Sequence, residues 1–209
     1  MEAKKFFLAL FVLSVVSFFP LLYFLHDTYL YEAPLHLGMF SLAMYFLWKK
    51  DLGTTLGSLG IPGNIKKNAL YTVLGFALIF MVLPVLAAVL YYYGLDDQEI
   101  VAGIVMELPL YILAMAIVVA PVSEELLFRA LLITRIREYS RSAVLAIILA
   151  SAVFAVFHAG YGSVVQFVGV FVVGLILGFI YWGSGSVIPS MIIHFVYNFM
   201  SIMVMRGFL

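Results

Sequence analysis

From Ser142 to Met205 the chain carries no Asp, Glu, Lys or Arg. Three further charge-free stretches precede it, between Glu32 and Lys49, between Lys67 and Asp96, and between Glu107 and Glu124. A helix crosses the hydrocarbon of a bilayer in about 20 apolar residues, so these gaps admit helical spans and little else. Only 11% of the 209 residues are charged and 66% are apolar, against about 25% and about 45–50% in a soluble domain. So few charges cannot cover a wet surface, and most of the outside must face lipid. A soluble enzyme and a disordered chain are excluded. A basic nucleic-acid binder is excluded as well, because the formal net charge is zero. The absence of cysteine removes disulfides, thiolate nucleophiles and Cys-ligated metal sites.

The pattern predicts an all-α, polytopic membrane bundle of about seven to eight helices, with residues 1–209 forming one membrane-embedded domain. Spans are expected near 5–25, 34–48, 67–93, 104–120 running on to 137, 142–158, 163–182 and 187–206. The second is short enough to need tilting, a re-entrant path or backing by its neighbours. No long polar linker separates two cores. Lys4 and Lys5 followed by an apolar run from Phe6 resemble a signal peptide. The run is about 20 residues, however, where a signal h-region has about 7–15, and no small-x-small site closes it. It is expected to be a retained first helix.

Charge asymmetry sets the orientation. Lys4 and Lys5, then Lys49, Lys50, Lys66 and Lys67, then Arg135, Arg137 and Arg141 fall on one face; Asp27, Glu32, Asp96, Asp97 and Glu99 fall on the other. Basic loops stay in the cytoplasm, which places the N-terminus inside and, with seven spans, Arg206 outside. An eighth segment within 51–65 would alter that, but its four glycines and Pro62 read as a surface loop or short interfacial helix. Two small-xxx-small pairs, Gly174/Gly178 and Ala146/Ala150, read as close-packing positions.

Ionisable groups are costly in hydrocarbon, about 2.5–3.5 kcal/mol each on insertion scales, and mark functional sites by default. Three clusters qualify. In Glu124-Glu125-x-x-x-Arg129, Glu125 and Arg129 are i,i+4 and share a helix face, while Glu124 points away from it and has no partner in its own helix. Pro121 just upstream removes the bond to the Ile117 carbonyl, so a kink or break is expected there. In Phe154-x-x-x-His158, phenylalanine reads as packing and histidine as the candidate group. In His194-x-x-x-Asn198 both side chains project to one side.

Glutamate with histidine suits general-base activation of water; histidine with asparagine suits donation to an oxyanion. Water attack on an amide carbonyl needs both. Ser184 and Ser186 lie in a helix-connecting turn and read as turn residues. Glu, His and His could ligate zinc, but the His-Glu-x-x-His helix signature of zinc peptidases is absent. A non-catalytic membrane scaffold or binding partner, or a proton-coupled carrier using the Glu–His cluster, stands as the alternative to hydrolysis. No inverted repeat of the kind many carriers show is visible.

The three motifs, in this order on successive helices, resemble the CAAX protease and bacteriocin-processing family of intramembrane glutamic endopeptidases. The contexts Pro121-Val-Ser-Glu-Glu-Leu-Leu-Phe-Arg-Ala130 and Phe157-His-Ala-Gly160 are similar to that family too, with Ala130 where many members carry Gly. The resemblance covers residues 120–200. It implies Glu124 as the general base, His158 sharing its water, and His194 with Asn198 as the oxyanion hole. Glu125 and Arg129 would support the site, Arg129 also contacting substrate. It implies a metal-free, cofactor-free hydrolase acting on a protein or peptide, in a multi-pass protein of the lipid bilayer. The best-known branch removes the last three residues of prenylated CaaX proteins. Other branches process bacteriocins or act in immunity to them.

Overall fold

The structure, a computed structural model, describes residues 2–24 and 29–208. Asp27, assigned above to the acidic face, lies outside the described residues. Among the described residues every regular element is helical. The α-helices are α1 (Glu2–Phe24), α2 (Glu32–Leu47), α3 (Leu52–Ser58), α4 (Ile65–Tyr92), α5 (Gln98–Glu107), α6 (Leu110–Glu124), α7 (Thr134–Ser140), α8 (Ala143–Phe157), α9 (Val164–Ser184) and α10 (Val187–Met205). A π-helical segment, Glu125–Ile133, joins α6 to α7, and a 3-10 turn, Ala159–Tyr161, follows α8.

Six of the described segments are long and apolar enough to cross a membrane: α1, α4, the continuous run Leu110–Ser140, Ala143–Tyr161, α9 and α10. The expected count of seven is reached only with α2. Its 16 residues rise about 24 Å at 1.5 Å each, short of a hydrocarbon core of about 30 Å. It runs antiparallel to α1, with Phe18 against Tyr31 at one end and Phe7 against Trp48 at the other. α3, capped by the Asp51 carboxylate accepting from the Thr54 N–H at 2.7 Å, has only 7 residues. The stretch 51–65 therefore holds a short helix and no eighth span. Its far end docks on the turn between α9 and α10, where the Val187 N–H donates to the Leu59 carbonyl at 3.1 Å. Gly60 makes that contact possible: its φ is +70°, and a Cβ there would lie 2.2 Å from the Gly185 carbonyl oxygen.

One span begins later than expected. Residues 104–107 belong to α5, and the crossing helix starts at Leu110. Pro109 causes the break, since the residue before a proline is pushed out of the α region; Leu108 has ψ 135°. Four of the other crossings, α4, α8, α9 and α10, start where a short polar side chain satisfies a free N–H. Asn64, Ser142, Ser163 and Ser186 accept from Lys67, Leu145, Gln166 and Ile188 respectively. Such caps matter more where no water can take their place. Between α8 and α9 the glycines act as predicted. A Cβ on Gly174 would lie 2.9 Å from the Ser151 Cβ, and one on Gly178 2.8 Å from Ile147 Cγ2.

The run Leu110–Ser140 is the central span. Of its most apolar window 44% is buried inside the protein, against 11% for α1 and for α4, which present most of their surface outward. That central helix carries the paired glutamates.

Candidate active site

The central helix changes character at the first motif. Pro121 has no N–H to offer the Ile117 carbonyl, and four residues later the backbone widens from α to π over Glu125–Ile133. The break expected at Pro121 does not occur there, since α6 continues through the proline to Glu124 and the irregularity lies just beyond it. Wide π turns inside α-helices occur frequently at functional sites.

Glu125 and Arg129 are fully buried and paired, Arg129 Nε lying 3.2 Å from Glu125 Oε2. The other oxygen, Oε1, meets His194 Nδ1 from α10 at 2.9 Å. An ionised carboxylate only accepts, so Nδ1 carries the proton and Glu125 fixes both the tautomer and the ring plane of His194. The guanidinium carbon of Arg129 lies 4.4 Å from the centroid of the Phe154 ring. Its Nη1 and Nη2 are buried without hydrogen-bond partners, so the aromatic face is what this cation rests on. Phe154 does more than fill space. It also touches the rings of Phe128, His158 and His194, and so ties the second motif to the other two.

Glu124 has a different setting. It lines a cavity of about 490 Å³ together with His158 and Asn198. Its Oε2 is buried without a hydrogen-bond partner and lies 3.7 Å from His194 Nε2. His194 thus stands between the two glutamates, bonded to one and near the other. His158 caps α8; its Nδ1 donates to the Phe154 carbonyl at 2.9 Å. Since a carbonyl only accepts, Nδ1 holds a proton, and in the neutral ring Nε2 is the nitrogen that presents a lone pair. Asn198 Nδ2 donates to the Ala116 carbonyl at 2.9 Å. That bond uses one of its two amide hydrogens and leaves the second.

Sequence reasoning missed His36. From α2, its Nδ1 meets Ser123 Oγ at 2.9 Å, and its Nε2 lies 3.9 Å from Glu32 Oε2. Ser123 donates its own hydrogen to the Val119 and Ala120 carbonyls, so His36 is the donor to Ser123. His36 and Glu32 both line the cavity that holds Glu124. The available signal was a histidine four residues after a glutamate at the head of an otherwise apolar helix. Ser184 and Ser186 lie in the turn before α10, bonded to each other and to backbone, and take no part in the cavity. Among the described residues no three His, Asp or Glu side chains converge on a point suited to a metal ion.

The family model for Rce1-like type II CAAX prenyl endopeptidases matches residues 106–200, the stretch that contains all three motifs. No curated protein and no solved structure matches the chain.

Proposed function

We propose, for a multi-pass membrane protein that carries a CAAX protease domain over residues 106–200, that it is an intramembrane endopeptidase using Glu124 as its base. The observation that carries this reading is the place of Glu124 on the cavity wall beside His158 and Asn198, with its Oε2 3.7 Å from His194 Nε2, while Glu125 stays out of the cavity. A water held between Glu124 and the free Nε2 of His158 attacks the scissile carbonyl, and Glu124 takes its proton. The oxyanion that forms receives the second amide hydrogen of Asn198 and, when its Nε2 is protonated, a hydrogen from His194. Glu125, held by Arg129, positions His194 for that donation. Glu124 then returns the proton to the leaving amine, and the C–N bond breaks. No atom of the protein is covalently modified.

The test is cleavage by the purified, reconstituted chain of a peptide library made with and without a farnesylated cysteine, read by mass spectrometry. Defined peptide-bond hydrolysis is expected. Its absence across the library, or equal hydrolysis by Glu124→Gln, overturns the reading. The farnesyl arm decides whether the substrate must be a prenylated C-terminus.

A further inference from the structure

The cavity has a side. Lys4 and Lys5 mark one end of α1, Lys49, Lys50, Lys66 and Lys67 flank α3, and Arg135, Arg137 and Arg141 cluster at α7. All belong to the ends and loops that the alternating spans place together, and such basic loops stay cytoplasmic. None of α3, α7 or the α9–α10 turn contributes a residue to the cavity. Its wall comes from the opposite end: Tyr31 and Glu32 at the head of α2, Ile104 and Leu108 of α5, and Gly160 and Tyr161 after α8. Beneath its floor, toward the basic side, Phe7, Met44, Leu47, Leu59, Leu131 and Val187 belong to one dry apolar cluster drawn from five parts of the chain. A polar peptide and the attacking water cannot cross that plug cheaply.

The charge of the wall adds a second constraint. Among the described lining residues the acidic side chains are Glu32 and Glu124 and the imidazoles are His36 and His158, with no Lys or Arg. Arg129 is sealed against Glu125 and Phe154. Arg206, near the rim, is engaged with the Leu108 carbonyl and does not line the wall. A free C-terminal carboxylate a few residues beyond the scissile bond would meet two acidic side chains and no Lys or Arg.

We propose that the substrate reaches this site from the non-cytoplasmic face, as an internal segment of a peptide already on that side of the membrane. The substrate class rests on the endopeptidase reading; the direction of opening does not. Both features of the cavity disfavour a cytosolic chain ending in a free carboxylate.

The chain has no cysteine, so single-cysteine variants report accessibility directly. Gly160, at the mouth, and Gly57, on α3, are exposed with open space where a side chain would go. Full-length Gly160→Cys and Gly57→Cys are exposed to a membrane-impermeant maleimide in right-side-out and in inverted membrane vesicles. Gly160→Cys should label in right-side-out vesicles and Gly57→Cys in inverted ones; the reverse pattern overturns the proposal. Gly103→Cys, on α5 and away from the cavity wall, serves as a second outer reporter if Gly160→Cys is poorly folded. The reconstituted enzyme is then given one peptide as free acid and as amide, the terminus three residues past the cleaved bond. Preference for the amide by roughly tenfold or more in kcat/KM is expected from like-charge juxtaposition, and preference for the acid overturns the internal-segment claim. Labelling needs no activity, so failure of the sidedness and failure of the protease reading are separate results.

Discussion

Glu124 and Glu125 are neighbours in the chain with opposite surroundings. Glu125 has an arginine on one oxygen and a histidine on the other. Glu124 has an open wall and a buried oxygen with no hydrogen-bond partner. The first arrangement is an ion pair sealed away from the cavity, Arg129 Nε lying 3.2 Å from Glu125 Oε2 while only Oε1 makes a hydrogen bond, to His194. The second leaves a carboxylate able to hold and move a proton. The contrast is one of surroundings: adjacent acidic residues on one helix face different partners. In the proposed mechanism Glu125 holds His194 still and Glu124 is the member that reacts.

The largest effect should come from the open member. Glu124→Gln keeps the shape and removes the base, and turnover should fall by at least the roughly 10²–10⁴-fold typical of general-base catalysis. The thermal midpoint should stay near that of the unaltered protein. A variant that loses fold and activity together would erase the contrast.

Glu125 should fail the other way. Glu125→Ala leaves Arg129 buried and uncompensated, a change worth about 3–5 kcal/mol of stability, measurable by unfolding in detergent. Glu125→Leu with Arg129→Met replaces the pair by apolar groups and should recover much of that loss. Activity should not return with it, because His194 would have lost the acceptor that orients its ring. Recovery of both would reduce Glu125 to packing alone.

Asn198→Ala probes the rim of the open region. Loss of one oxyanion donor costs about 10²–10³-fold in kcat, with KM nearly unchanged. A rise in KM alone would move Asn198 to substrate binding or to its bond with the Ala116 carbonyl.

A smaller, pH-dependent effect belongs to the contact between Asp97, just before α5, and the start of α9. The Ser163 hydroxyl and then the Val164 and Val165 N–H groups hold the Asp97 carboxyl below its ordinary 3.8. A lowered folded-state value means stability that is present above the ordinary one and is lost as pH falls through the lowered one. The thermal midpoint of the parent protein should exceed that of Asp97→Asn near neutrality, and the two should converge on acidification below the carboxylate range. A constant difference at all pH values would show that Asp97 acts by shape rather than charge. The smallest expected effect is none: prolonged incubation with strong chelators should leave cleavage unchanged, whereas loss restored by added zinc would replace the base mechanism while keeping the residues.

Much of this was legible in the sequence because membranes enforce simple rules. Charge gaps locate the spans, and i,i+4 spacing pairs Glu125 with Arg129 whatever the tertiary fold. What remained hidden was tertiary. The bond from His194 to Glu125 joins residues 69 apart, and no local pattern states it. His36 has only Glu32 as a signal, in a helix too short to be recognised as a confident crossing. Pro121 announces a break at itself, whereas the irregularity is the π-helical stretch just beyond it. Pro109 was the readable sign that residues 104–107 belong to a separate helix, and the apolar run across it concealed that break. Phe154 looked like filler because three of its four ring and cation contacts come from two other segments, the π-helical stretch and α10.

The π-helical segment makes the central span sensitive to its own length. In an α-helix each residue advances the side chains by about 100°, and a widened stretch holds its surplus of backbone between two ordinary helices. Deleting one residue within 125–133 would let that stretch relax to regular α geometry. The two ends of the span would then turn relative to each other. α6 is held by Asn198 through the Ala116 carbonyl, and α7 approaches α9 through Thr134 and Tyr181. The rotation would therefore fall on the residues between, turning Glu124 and Glu125 relative to His194. Conservative substitutions along this stretch can be absorbed by repacking, whereas a change in chain length there acts as a gear shift on the whole site.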